Sequence, residues 1–161
     1  MINLSFGTPD GVPSRVLDDA VDYARARGAV VVAAAGNYGD ADQTYPAARP
    51  GVLSVGALAA DDAEQLAAFS SRGGWVKVAA PGVGIVGPMP GGGFARWSGS
   101  SMAAPFVAGQ AALVWATNPR RSPAAVTATI TRTTDRLAGG GVAYGAVDVL
   151  ASLRPFCLVR C

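Results

Sequence analysis

One serine stands where a loop runs into a helix, in Trp97-Ser98-Gly99-Ser100-Ser101-Met102-Ala103-Ala104-Pro105. N–H groups in a first helical turn lack intrahelical partners, and the positive end of the helix dipole favours developing negative charge. Small neighbours allow a substrate backbone to come close, which suits Ser101 to nucleophilic attack. The plainer account is a serine N-cap before a tightly packed Ala/Gly-rich helix. A second segment, Val30 to Asn37, carries Ala34, Ala35 and Gly36 to the carboxyl end of a strand and delivers Asn37 to the sheet rim. Ligands of open α/β sheets bind at that rim, and an amide there can donate to an oxyanion. The alternative is a Gly-Asn turn in left-handed conformation. A third segment, Ile2 to Gly7, brings Ser5, Phe6 and Gly7 to the same rim, where their backbone could pair with an extended peptide. Its alternative is a strand followed by a glycine turn.

The chain contains no histidine. It therefore cannot complete a Ser-His pair or a His-ligated metal site by itself. Lys77, the sole lysine, falls in a candidate strand far along the chain from Ser101, which argues against a Ser-Lys dyad. Glu64, the sole glutamate, sits in a polar loop.

The elements that must position these residues read as alternating strands and helices. Met1 to Phe6 is a short apolar strand. Ser14 caps a helix whose Val16, Leu17, Ala20, Val21 and Ala24 share one face, and Gly28 stands at its left-handed end. Ala29 to Ala34 is an apolar run suited to a strand covered on both faces. Such a strand, helix, strand succession makes a right-handed βαβ unit. Further strands are expected at Val52 to Ala57 and Val76 to Ala79, with a hairpin arm at Phe94 to Trp97. Helices are expected from Ser101 to about Thr117, with Pro105 in the first turn, and from Ser122-Pro123 to about Thr133. A short helix around Val147 to Leu153 closes the pattern. The class is α/β, doubly wound, with a mostly parallel sheet and flanking helices.

Composition narrows the functions. With 161 residues, 50% hydrophobic and 15% charged, the chain suffices for one domain and wholesale disorder is excluded. Thirteen Lys and Arg against eleven Asp and Glu give a net charge of +2, and the scattered basic residues make no nucleic-acid surface. No apolar run approaches the roughly 20 residues of a membrane span. Met1 to Pro9 lacks the pattern of a signal peptide, so either the protein stays inside or this sequence begins downstream of a targeting segment. Cys157 and Cys161 form a C-x3-C pair in a short tail, 155–161, and read as cysteines without a role.

Taken together, the order and spacing of the three segments resemble the subtilisin-like (S8) serine peptidases. That family's signatures include an I-N-x-S-x-G strand, an A-A-G-N strand end and a G-T-S-M-A-x-P helix start. Tyr45-Pro46-Ala47 with Val52 to Ala57 is similar to its Y-P-A…V-x-x-V-G-A segment. Phe69 to Gly73 and Val78 to Gly82 are similar to its F-S-x-x-G and A-P-G segments. The resemblance runs over residues 1 to about 150, within a peptidase unit of residues 1–154.

The resemblance implies that Ser101 is the nucleophile and that Asn37, with the backbone N–H of Ser101, forms the oxyanion hole. It places Ser5, Phe6 and Gly7 on one side of the substrate cleft and Ala34, Ala35 and Gly36 on the other, walling a P1 pocket for sizeable apolar side chains. It implies a cis Tyr45-Pro46 bond, polypeptide substrates, and action outside the cell or at the cell envelope. Calcium commonly stabilises the family, but no carboxylate here matches a ligand motif, and no cofactor is identified. Phe106 stands where the family usually has a histidine that is not the triad base. The family's Asp and His lie before the I-N-x-S-x-G strand, so the resemblance implies a missing N-terminal segment or chain that supplies them. Without them the chain is expected to be inactive, since loss of the triad histidine costs about 10⁶ in kcat, a value known from subtilisin itself. Ile2 to Ser5 is then expected to be an exposed sheet edge prone to self-association. Two other readings stay open: a non-catalytic module that binds extended peptides, and one half of a split peptidase.

Overall fold

A computed structural model describes residues 1–8, 11–60 and 64–154. Its strands are β1 (Ile2–Leu4), β2 (Val31–Ala34), β3 (Leu53–Leu58), β4 (Val78–Pro81), β5 (Ile85–Pro88), β6 (Phe94–Trp97) and β7 (Gly145–Ala146). Its helices are α1 (Arg15–Ala26), α2 (Ser100–Ala116), α3 (Pro123–Arg132) and α4 (Val149–Leu153). The main sheet has the order β1-β2-β3-β4-β7, parallel at every junction, while β5 and β6 form a separate antiparallel hairpin. The structure is thus α/β with a parallel sheet and flanking helices, as the alternation of elements leads one to expect. Cys157 and Cys161 lie outside the described residues.

The valine-rich β2 shows why the sheet is covered on both faces. Side chains alternate along a strand, so Val32 and Ala34 enter one core and Val31 and Ala33 the other. The first core joins Val32, Ala34, Leu53, Val55, Ala57, Val78 and Ala80 to Ala103, Ala104, Val107, Ala111 and Val114 of α2, and to Val126 and Ile130 of α3. The second joins Val31, Ala33, Ala47 and Val52 to Val21 of α1. The face that α2 packs on the sheet combines the small Ala103, Ala104 and Ala111 with the bulkier Val107 and Val114.

Several boundaries differ from expectation for physical reasons. On α1 only Val21 is buried, with Leu17 and Ala24 half-buried, whereas Val16 is 82% exposed and Ala20 faces solvent. The apolar face read from the sequence is therefore only partly packed. β4 begins two residues late, at Val78, and runs onto Pro81, leaving Lys77 before the strand. Proline is tolerated there at a strand end. β5 and the two-residue β7 had no sequence signal of their own, the first being short and the second Gly-Ala alone. Ser14 does accept from the Leu17 N–H, and Gly28 has φ +82°. Tyr45-Pro46 is cis.

Among the described residues β1 is an edge strand, paired to β2 on one side only. Ile2 is 36% exposed, and on the surface of α2 Phe106 and Leu113 are about half exposed. No helix among the described residues is long and apolar enough to cross a membrane.

Candidate functional site

Parallel strands in one sheet share a carboxyl end, and here that end gathers the three segments singled out above. Gly36 and Asn37 follow β2, Ser5 to Gly7 follow β1, and Gly82 follows β4. Gly82 lets the chain pass close against β3: a Cβ there would stand 2.5 Å from the Ala57 Cβ. Its carbonyl accepts the Gly99 N–H at 2.7 Å, which anchors the loop entering α2. Gly99 is the N-cap of α2 and makes no side-chain capping bond. Ser101 is therefore inside the first turn and is not the cap, which removes the plainer account of this serine.

The Ser101 hydroxyl donates to the Ser5 carbonyl at 3.1 Å, and the Ser5 hydroxyl donates to the Ser101 carbonyl at 2.8 Å. Asn3 Nδ2 donates to Ser5 Oγ at 2.9 Å and holds that side chain. Two residues 96 apart in the chain are thereby tied into one corner.

Asn37 is oriented by Ser100. The Ser100 N–H donates to Asn37 Oδ1 at 2.8 Å, so the other end of the amide must be the donor group. Ser100 Oγ accepts the Gly36 N–H at 3.0 Å, and Ser100 is fully buried. The segment Phe69 to Ser71 splints the same turn from behind. Ser71 N–H donates to the Gly36 carbonyl at 3.1 Å, Ser71 Oγ accepts the Tyr38 N–H at 3.4 Å, and Gly39 N–H donates to the Phe69 carbonyl at 2.8 Å. Gly36 has φ +107°, and a Cβ there would stand 3.0–3.3 Å from Ser71 Oγ, Thr44 Cγ2 and Tyr38 Cδ2. Sequence reasoning missed Ser100, Ser71 and Thr44. Ser100 stands beside Ser101 in the sequence, while Ser71, between Ser70 and Arg72, and Thr44, between Gln43 and Tyr45, carried no local signal.

Between these walls lies a slot of about 210 Å³ lined by Phe6, Gly7, Thr8, Ala34, Gly36, Asn37, Tyr38, Thr44, Ser100 and Ser101. Ala35 does not line it: the residue is buried, its N–H donates to Val55 O and its carbonyl accepts the Thr44 hydroxyl at 2.7 Å. A second, more apolar hollow of about 400 Å³ also reaches Ser101, between Ile85, Gly87, Trp97, Met102, Pro105 and Phe106.

Among the described residues, neither hollow is lined by an ionisable acid or base other than the phenol of Tyr38. Lys77 lies at the opposite end of the sheet, beside Arg25, Val52 and Ser122, and its ammonium donates to the Gly74 carbonyl at 3.4 Å. Glu64 lies beside Arg136 to Gly140. Among the described residues no three His, Cys, Asp or Glu side chains converge as a metal cluster, so no residue is assigned to calcium.

The family model described as the subtilase family (peptidase S8) matches residues 1–147. The chain belongs to that family. It is 42% identical over 150 residues to a thermophilic serine proteinase of Bacillus sp. (strain AK1), covering 92% of this chain and 36% of that protein. It is 46% identical over 123 residues to a subtilisin of Bacillus pumilus, covering 74% of this chain and 43% of the relative. Among solved structures, a protease of Pseudoalteromonas arctica superposes with a TM-score of 0.86 at 30% identity, covering 96% of this chain and 50% of that one. The prenylagaramide maturation protease PagA superposes with a TM-score of 0.82 at 28% identity, covering 96% and 61%. This subtilase chain thus spans less than half the length of these two curated relatives and about half or slightly more of these solved structures.

Proposed function

We propose that the chain is the nucleophile-bearing part of a subtilisin-like serine endopeptidase and hydrolyses polypeptides only together with a segment that carries the Asp and His of the triad. Ser101 Oγ attacks the scissile carbonyl carbon, and the displaced electron pair goes to the carbonyl oxygen. Asn37 Nδ2 and the Ser101 N–H then donate to that oxyanion. Ser5 to Gly7 pair with the substrate backbone as an added strand, and Ala34 and Gly36 wall the slot for the P1 side chain. The observation that carries this reading is the Ser100 N–H bond to Asn37 Oδ1, which turns the amide so that its NH₂ is the free end.

Ser101 Oγ has a carbonyl as its partner, and a carbonyl cannot take its proton. The hydroxyl therefore needs an external base, and the apolar hollow beside Met102 and Phe106 offers room for the segment that brings one. Action outside the cell or at the cell envelope accords with this assignment. That no base stands beside Ser101 among the described residues also suits a second reading, a cleft that binds extended peptides without turning them over.

Labelling with a fluorophosphonate probe tests the assignment. Alone, the chain should label at a rate close to its Ser101→Ala variant. Addition of a polypeptide bearing a D-[ST]-G and an H-G-T-H segment should confer labelling that Ser101→Ala abolishes. Rapid labelling of the chain alone would overturn the requirement for a second segment. No labelling in the supplemented sample, with peptides still bound, would favour the binding module.

A further inference from the structure

Helix α2 begins at Ser100 with Gly99 as its N-cap, so Pro105 stands in the second turn and not in the first, where the sequence leads one to expect it. The difference falls on one carbonyl. In an α-helix the Ser101 carbonyl would accept from the N–H of residue 105, and proline has none. The proline ring also crowds the carbonyl four residues before it, which is again that of Ser101. The residue that carries the candidate nucleophile therefore has a carbonyl without its intrahelical donor.

Ser5 supplies a donor from outside the helix. Its hydroxyl donates to the Ser101 carbonyl at 2.8 Å. A hydroxyl has a single proton, and Asn3 Nδ2 donates to Ser5 Oγ at 2.9 Å, so this side chain is committed in both directions. Ser5 directly follows β1, whose Ile2, Asn3 and Leu4 lie in register with Val31, Val32 and Ala33 of β2. The donor is thus fixed to the sheet and the acceptor to α2, and their bond sets where the start of α2 lies against the candidate substrate strand. The reciprocal bond, from Ser101 Oγ to the Ser5 carbonyl at 3.1 Å, is of another kind. It must break when a base takes the Ser101 proton, whereas the bond from the Ser5 hydroxyl does not involve that proton and can persist.

We propose that Ser5 is a positioning residue for the nucleophile. Its hydroxyl replaces the helical hydrogen bond that Pro105 removes, and it holds Ser101 in place while the Ser101 hydroxyl changes partner. This role belongs to the Ser5 side chain and adds to the strand pairing of its backbone. It rests on the assignment of Ser101 as nucleophile.

A cycle of variants, each supplemented with the Asp- and His-bearing segment, tests the proposal. Ser5→Ala should slow fluorophosphonate labelling of Ser101 about five-fold, the equivalent of one ordinary hydrogen bond. Pro105→Ala returns an N–H to the position that faces the Ser101 carbonyl, so in that background Ser5→Ala should change the rate by less than about two-fold. Equilibrium binding of acetyl-Ala-Ala-Ala-Leu should stay within about two-fold throughout, because the peptide pairs with the backbone of Ser5 and not with its side chain. No slowing by Ser5→Ala, equal slowing in both backgrounds, or slowing matched by weaker peptide binding would overturn the positioning role and leave Ser101 as the nucleophile. Absence of labelling in every supplemented sample would overturn the nucleophile assignment and the positioning role together.

Discussion

The backbone N–H of Ser100 and the side-chain oxygen of Asn37, 63 residues apart in the chain, meet at 2.8 Å. The same serine receives the Gly36 N–H on its hydroxyl at 3.0 Å, so one buried residue fixes both the turn and the direction of the amide on it. In the proposed reaction the Asn37 amide is therefore set before any substrate arrives, which is what makes an oxyanion donor effective.

Replacing Asn37 with Ala should lower kcat of the completed enzyme by about 10²–10³ with little change in KM. That magnitude is known from subtilisin itself. Steady-state kinetics on the chain supplemented with an Asp- and His-bearing segment checks it, and a rise in KM alone would remove Asn37 from the oxyanion hole.

Ser100→Ala leaves the Gly36 N–H without its acceptor and should destabilise the fold by about 1–3 kcal/mol. At this chain length each kcal/mol corresponds to ~2–4 °C in Tm. Ser100→Thr keeps the hydroxyl and should restore both Tm and, in the presence of the Asp- and His-bearing segment, the labelling rate of Ser101. Thermal melts of the three proteins, with labelling by the same fluorophosphonate, distinguish positioning from simple packing.

Arg49 ties the segment after Tyr45-Pro46 to α1 through ion pairs with Asp18 and Asp22, each 2.6 Å long. The Asp22 hydrogen bond, with that of Asp18, raises the Arg49 guanidinium above its ordinary value despite the opposing effect of burial. Its contribution is present below the unfolded-state value and is lost only as strongly alkaline pH passes the folded one, so no loss is expected across neutral pH. Arg49→Met should lower Tm at pH 7 by a few degrees, and the loss should shrink in high salt. A loss independent of salt would assign the effect to packing.

The unpaired edge of β1, with Phe106 and Leu113 exposed on α2, should make the isolated chain self-associate. Light scattering across a concentration series should show growing mass. A monomer that melts cooperatively at every concentration would contradict this.

Periodicity and punctuation made most elements legible. Three consecutive valines marked the doubly covered β2, Ser14 and Ser122 marked helix starts, and Phe94 to Trp97 marked a hairpin arm. Ser101, Asn37 and the Ser5 to Gly7 strand were legible as candidates because each combines a chemical group with a strand or helix end. The partial exposure of α1, the two-residue β7 and the burial of Ala35 were not, since each depends on what neighbouring segments cover.

By itself the sequence determined the absence of imidazole, the alternation of strands and helices, and the chemical groups carried to the ends of β1 and β2. Length alone left one complete domain as the natural reading, and the subtilase match recasts these residues as a portion of the length of their relatives. Only the tertiary structure decided which way the Asn37 amide points, that Ser101 lies within its helix and bonds to Ser5, and that Lys77 stands at the far end of the sheet. Those outcomes rest on hydrogen bonds and packing between segments some 60 to 100 residues apart. Local patterns report on a residue's own element, and such contacts exist only once the sheet has brought the elements together.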